Sequence, residues 1–305
     1  MSPLQLVKLD ALMDRTGGSP EVTIGLVDGP VITAHPDLEY NSLRELPGTN
    51  GAACTLADST ACLHGTFVAG VLSARRTSPA PAICPGCTLL IRPVFAEGGP
   101  GREYMGREYM GRDYMPSATP PELAAAIVEC VDAGARLINL SLALTQHSTR
   151  GEQALQDALD HAVKRGAIVV AAAGNQGALG SSPLTRHPWV IPVAACNLAG
   201  QPVNGSNFGV SIGRRGLSAP GDGVTSLGTD SRPLTLGGTS VAAPFVTGAL
   251  ALLWSEFPAA SAAQIRLAIG AAGARRRAAV VPPLLDAAAL LQALAANGRK
   301  KETAI

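Results

Sequence analysis

Short, nearly uninterrupted apolar runs alternate with helical patterns along most of this chain, and that alternation constrains its fold more than any other feature. A strand that is apolar on both sides needs cover on both faces. Parallel sheets obtain it from the helices that connect their strands. Strands are predicted at Val22–Val27, Leu89–Val94, Arg136–Ser141, Ala167–Ala173 and Trp189–Ala195. Helices are predicted at His64–Ala74, Pro121–Ala133, Gly151–Arg165, Thr239–Glu256, Ala259–Gly270 and Leu284–Ala296. The second opens on Pro120-Pro121-Glu122, with an acidic residue in its first turn. The expected fold class is α/β, a three-layer sandwich with a mostly parallel central sheet covered by helices on both faces. No linker divides the chain, so residues 1–296 read as one domain and 297–305 as a frayed tail.

Apolar residues make up 47% of the 305, enough for a sizeable core, while aromatics are only 4%. The core is therefore expected to consist of small side chains set close together. A net charge of +1 creates no long-range field toward nucleic acid or an anionic membrane. Arg75-Arg76 and Arg275-Arg276-Arg277 are too short to change that. The start, MSPLQLVKLDALMDRTGG, lacks the basic lead and apolar core of about 7–15 residues that mark a signal peptide. No stretch reaches the roughly 18 apolar residues of a membrane span. The expectation is a soluble, cytoplasmic protein with no nucleic-acid or membrane partner. Of the six cysteines, Cys84-Pro-Gly-Cys87 has C-x-x-C spacing but no second pair to complete a zinc site. It also precedes a strand rather than opening a helix, which argues against redox function. Reduced thiols are the default for the expected compartment. Cys54 and Cys62, flanking a short loop, can pair under oxidising conditions.

Residues 101–115 break the pattern with three tandem units, GREYM, GREYM and GRDYM. A period of five fits neither helix nor strand and is shorter than a solenoid repeat. The segment reads as a duplicated, exposed loop.

Chemistry is concentrated in three segments: Val27-Asp28-Gly29-Pro30, then His64-Gly65-Thr66-Phe67-Val68-Ala69-Gly70, then Gly237-Gly238-Thr239-Ser240-Val241-Ala242-Ala243-Pro244. Each alone is weak, since Gly-Thr-Ser before an apolar helix is also an ordinary N-cap. In the order Asp, His, Ser they are specific. A serine hydroxyl is a poor nucleophile until a base takes its proton. Imidazole is the side chain suited to that exchange near neutral pH. A carboxylate on the other ring nitrogen fixes tautomer and orientation and stabilises the imidazolium. Asp28 at a strand end, His64 and Ser240 at a helix start fit those roles. Free N–H groups and the helix dipole at that start favour developing negative charge. Pro244 is expected in the first turn, where a missing N–H costs little. A fourth segment, Gly174-Asn175-Gln176-Gly177, follows a buried strand and can aim the Asn175 amide at an oxyanion.

With these residues the chain, from about Leu6 to Leu294, resembles the subtilisin-like serine peptidases. It looks most like those that remove the N-terminal leader from precursor peptides in cyanobactin biosynthesis. That nearer likeness rests on Asp28-Gly29-Pro30, the Cys-x-x-His-Gly-Thr run from Cys62, Pro85-Gly86-Cys87 and Ala171-Ala172-Ala173-Gly174-Asn175, together with the absence of a propeptide. The resemblance implies a subtilisin-like sandwich, the triad Asp28, His64 and Ser240, and an oxyanion hole at Asn175. It further implies that Leu140-Ser141-Leu142-Ala143 pairs with the substrate backbone, so Ser141, Leu142, Ala143 and Gly174 become candidate substrate-binding residues. Two positions depart from the common pattern. Gly29 stands where many relatives carry a hydroxyl residue, and Phe67 where many carry His. The Ser73–Pro81 loop lacks the Asn-rich calcium sequence, so no metal or other cofactor is expected. His35, His147, His161 and His187 match no catalytic motif. Macrocyclising relatives resemble the chain but carry a helical insertion between Asp and His. Here 35 residues separate the two without a strong helical pattern, favouring hydrolysis of a precursor peptide over cyclisation. A general cytosolic protease is the main alternative, and a catalytically silent binding protein the remote one. By the same resemblance Tyr104, Tyr109 and Tyr114 border the non-primed side of the cleft, where they contact substrate or cover the groove.

Overall fold

The first strand, β1 (Thr23–Asp28), runs through the middle of a seven-stranded sheet and delivers Asp28 at its C-terminal end. The computed structural model describes residues 1–38, 43–46, 48, 54–97, 118–142, 151–272 and 279–302. The GREYM repeat, Ala143, His147 and Arg275–Arg277 lie outside the described residues. On one side β1 pairs with β3 (Thr88–Pro93), which pairs with β2 (Leu43–Glu45). On the other side follow β4 (Leu137–Leu140), β5 (Ile168–Ala172), β6 (Ile191–Cys196) and β7 (Leu217–Pro220). Every one of these pairings is parallel, so the strand C-termini share one edge. A separate antiparallel hairpin joins β8 (Val224–Leu227) to β9 (Pro233–Leu236).

Side-chain alternation splits the core into two layers. Ile24, Leu26, Leu89, Ile91, Ile168 and Val170 face one side. There they meet α3 (Thr60–Ser73), α8 (Thr239–Glu256) and α9 (Ala262–Ala272). Short α1 (Pro3–Leu6) and α2 (Asp10–Met13) and the long α10 (Ala287–Glu302) close that side. Val27, Leu90, Ile138, Leu140, Val169 and Ala171 face the other side, against α4 (Pro120–Asp132) and α5 (Glu152–Arg165). Short α6 (Pro183–Arg186) and α7 (Val210–Arg215) connect strands at the rim. Each large apolar side chain fully buried this way contributes about 1.5–3 kcal/mol.

The expected sandwich is present, with differences at element ends. Helix α3 begins four residues before the predicted start, because Ser59 caps it by accepting the Cys62 N–H at 3.2 Å. Every residue of α3 is buried, so it carries almost no polar face to mark its limits. Pro244 is the sixth residue of α8, in the second turn rather than the first. Its missing N–H is the one that would bond the Ser240 carbonyl. Helix α10 runs to Glu302, past the point where the tail was expected. Strands β2, β7, β8 and β9 and helices α1, α2, α6 and α7 were not predicted. Between Asp28 and Thr60 the described residues form β2 and turns, with no helix. No helix among the described residues is long and apolar enough to cross a membrane.

Candidate active site

Asp28 and His64 come together where β1 ends beneath α3. The imidazole Nδ1 lies 2.7 Å from Asp28 Oδ1, and both side chains are fully buried. Asp28 Oδ1 also accepts the Gly29 N–H at 2.6 Å. Because a carboxylate oxygen only accepts, Nδ1–H donates the bond to Asp28, and Nε2 is the ring nitrogen left facing away from it. His64 Nε2 and Ser240 Oγ are both buried and have no partner of their own, so the two atoms that would exchange a proton are uncommitted.

Close packing holds this corner. The α3 backbone crosses directly over residues 29 and 30, and a Cβ at Gly29 would overlap the Ala61 carbonyl. A Cβ at Gly65 would equally overlap the Gly29 carbonyl. The missing hydroxyl at position 29 therefore follows from the approach of helix to strand. The Thr66 hydroxyl accepts the Ile32 N–H at 3.0 Å, tying the same helix to the loop beyond Asp28.

Ser240 is the second residue of α8, where N–H groups have no partner within the helix. Its neighbour Thr239 links it to Asn175 through a closed set of bonds. Asn175 Oδ1 accepts the Thr239 N–H at 2.9 Å and the Thr239 hydroxyl at 3.0 Å. That hydroxyl in turn accepts the Gly174 N–H at 3.1 Å. With its oxygen engaged on the helix start, the Asn175 amide presents its N–H₂ end elsewhere, as an oxyanion donor requires. Helices α3 and α8 pack against each other, carrying the His64 and Ser240 sides of the site as one unit.

The candidate substrate residues are placed differently from one another. Ser141 is buried and accepts a 2.7 Å bond from Asn139 Nδ2. The Leu142 side chain enters the layer beneath α4 and α5. Both side chains are thus used internally, and only their backbone is available to a peptide. Gly174 is buried with φ of 107°, which favours glycine. Sequence reading missed the polar core behind this strand. Thr247 of α8 donates to Asn139 Oδ1 at 2.7 Å, so β4 and the helix that carries Ser240 share a buried bond. A lone Asn inside the apolar run Leu137–Leu140 was the available signal.

The cysteines correct one expectation. Cys54 and Cys62 form a disulfide, whereas Cys84, Cys87, Cys130 and Cys196 are buried free thiols. Glu97 braces the disulfide-closed loop, accepting the N–H groups of Thr55 at 2.8 Å and Leu56 at 2.9 Å, and its Oε1 lies 3.2 Å from the Cys62 sulfur. Burial alone would raise the Glu97 carboxyl, but bonds from the Thr55 hydroxyl and the two backbone N–H groups hold it below the usual range. Cys54, Cys62 and Glu97 also form a group close enough to share a metal ion, but both sulfurs are already committed to each other. Within the C-x-x-C turn the hydrogen bond between the thiols pushes Cys84 up and Cys87 down. Burial pushes Cys130 up to about 12 and Cys196 up to about 11, so neither is a reactive thiol. His35, His161 and His187 serve local packing, bonded to Asp37, Asp132 and Asp160 respectively.

Comparison with known proteins agrees with this fold. Residues 19–279 match the family model described as the subtilase family, Peptidase S8. The thermophilic serine proteinase of Bacillus sp. (strain AK1) is 31% identical over 249 residues, covering 81% of this chain and 55% of that protein's length. The structure of the prenylagaramide maturation protease PagA superposes with a TM-score of 0.78 at 26% identity, covering 94% of this chain and 98% of PagA. The protease domain of PatA, a patellamide maturation protease, superposes with a TM-score of 0.77 at 27% identity, covering 92% of this chain and 97% of that domain. By its sequence, its sheet and the family model that spans most of its length, the chain belongs to the subtilase family of serine peptidases.

Proposed function

We propose that the protein is a serine endopeptidase that hydrolyses a ribosomally made precursor peptide, removing its N-terminal leader, with Asp28, His64 and Ser240 as triad and Asn175 as oxyanion donor. The carrying observation is the buried 2.7 Å contact between His64 Nδ1 and Asp28 Oδ1, which leaves Nε2 free. In this reading Ser240 Oγ attacks the scissile carbonyl as its proton passes to His64 Nε2. Asp28 keeps the imidazole in register and stabilises the imidazolium. The oxyanion forms against the Asn175 amide and the Ser240 N–H at the start of α8. His64 then returns the proton to the leaving amine, and water repeats the sequence on the acyl-enzyme. The substrate backbone pairs along residues 140–143, and Gly174 borders the reacting carbonyl.

The precursor-peptide substrate is supported by the maturation proteases among the structural neighbours. Hydrolysis rather than cyclisation is supported by the absence of a helix between Asp28 and Thr60 among the described residues. The second reading is a general protease with no leader requirement, and the 31% identical relative is named only as a thermophilic serine proteinase. One experiment separates them. The protein and its Ser240→Ala variant are incubated with precursor peptides encoded beside its gene and with casein, and products are read by mass spectrometry. A single cut between leader and core, absent with the variant, is expected. Cleavage of casein at many sites supports the second reading, and cutting by the variant overturns the mechanism.

A further inference from the structure

Asn175 sits in a segment with little regular structure of its own. Beyond the end of β5 the backbone turns through Gly174, with φ of 107°, and Gly177, with φ of 62°. Glycines at such points add conformational freedom. A catalytic donor must nevertheless be held within about 0.5 Å of its working position. Thr239 fixes the oxygen end of the Asn175 amide. The backbone carrying Asn175 needs a second anchor.

Asn207 supplies it. Its Oδ1 accepts the N–H groups of Gln176 at 3.0 Å and Ala178 at 2.9 Å. Its Nδ2 donates to the Ala173 carbonyl at 3.1 Å and to Gln176 Oε1 at 2.7 Å. Its own backbone N–H donates to the Gly174 carbonyl at 2.8 Å. All of these bonds end within residues 173–178, on both sides of Asn175, and none goes to Asn175 itself. Two bonds accepted by its oxygen and two donated by its nitrogen fix the amide orientation and use all four of its hydrogen-bonding sites. Position 174 is shaped around it, because a Cβ there would overlap Asn207 Nδ2 and stand 2.6 Å from Gln176 Oε1. A turn asparagine bonds within its own local loop. Asn207 instead reaches a segment about thirty residues earlier.

We propose that Asn207 is a positioning residue for the oxyanion-binding segment: its side chain clamps residues 173–178 so that the Asn175 amide meets the developing oxyanion. This rests on the role assigned to Asn175 under Proposed function. Asn207 touches no reacting atom. Its loss lowers turnover through Asn175, while ground-state binding along residues 140–143 is largely kept.

A double-mutant cycle tests this, using a fluorogenic peptide amide selected as cleaved by the unmodified protein and rates normalised to the folded fraction from thermal unfolding. Asn175→Ala is expected to lower kcat by about 10²–10³. Asn207→Ala is expected to lower kcat at least tenfold with KM within about threefold, and to cost less than about threefold further in the Asn175→Ala background. Asn207→Asp, which keeps both acceptor bonds, is expected to retain more activity than the alanine variant and serves if that variant does not fold. Equal losses from Asn207→Ala in both backgrounds overturn the proposal and leave Asn175 as the donor. An Asn175→Ala variant with unchanged kcat overturns the oxyanion role itself and the clamp with it. A change confined to KM or to thermal stability also overturns the proposal.

Discussion

At Asp28 the carboxylate serves two donors, the His64 ring and the Gly29 N–H, in a corner where a helix rests on a strand end. Asp28→Asn preserves size but favours the wrong imidazole tautomer, and a loss of about 10⁴ in kcat is expected with the fold intact. Rates on a fluorogenic peptide and a thermal melt check this together. A comparable loss of stability would mean that the carboxylate acts structurally. Gly29→Ala has the opposite signature. Its methyl group meets the Ala61 carbonyl, so helix and strand must separate, at a cost of about 1–3 kcal/mol. His64 moves with the helix, and activity should fall along with denaturant midpoint. A Gly29→Ala protein of unchanged midpoint would show that the corner has slack. Thr247→Val is the third test at this scale. It strands the buried Asn139 oxygen and should destabilise by about 1–3 kcal/mol.

The element that most depends on others is α3. All its residues are buried, and its start is tied to the loop that precedes it by the Cys54–Cys62 disulfide. Closing so short a loop removes denatured-state freedom equivalent to about 2–3 kcal/mol. Thiol titration of the denatured protein should return four thiols before reduction and six after. Six without reduction would exclude the bond. Glu97 braces the same loop as an anion, and its carboxyl is held below the ordinary value of 4.5. A carboxyl depressed by folding stabilises fully above its unfolded pKa, and that contribution disappears as pH falls through the lower folded value. Stability should therefore decline below about pH 4.5 with a slope that Glu97→Gln reduces, measured by urea unfolding across pH 3–6. Identical slopes for the two proteins would remove Glu97 from the account.

On the scale of the whole molecule, chain ends complete the core. Leu9 and Leu12 near the start lie fully buried in the same layer as Leu285 and Leu290 near the end. Leu9→Ala should cost about 2–5 kcal/mol. The neighbouring Lys8–Asp286 pair is open to solvent, so Lys8→Gln should change stability by less than about 1 kcal/mol. Chemical denaturation of both variants tests whether burial or surface charge joins the ends. The parallel sandwich was legible because buried strands and long helices announce themselves over a few consecutive residues, as Ile168–Ala172 and Thr239–Glu256 do. The candidates Asp28, His64, Asn175 and Ser240 could be picked out from sequence because each sits in a short motif whose local shape its neighbours encode. The fully buried α3 hid its own start, and short strands such as β7 and the β8–β9 hairpin lack the length to show a period. Beyond the pairs the motifs already suggested, tertiary structure alone decided which distant groups meet: Thr247 with Asn139, and Asn207 with the segment around Asn175. Sequence patterns record what a residue needs from its near neighbours. A hydrogen bond across thirty or a hundred residues depends instead on how packed strands and helices align, and no local pattern carries that alignment.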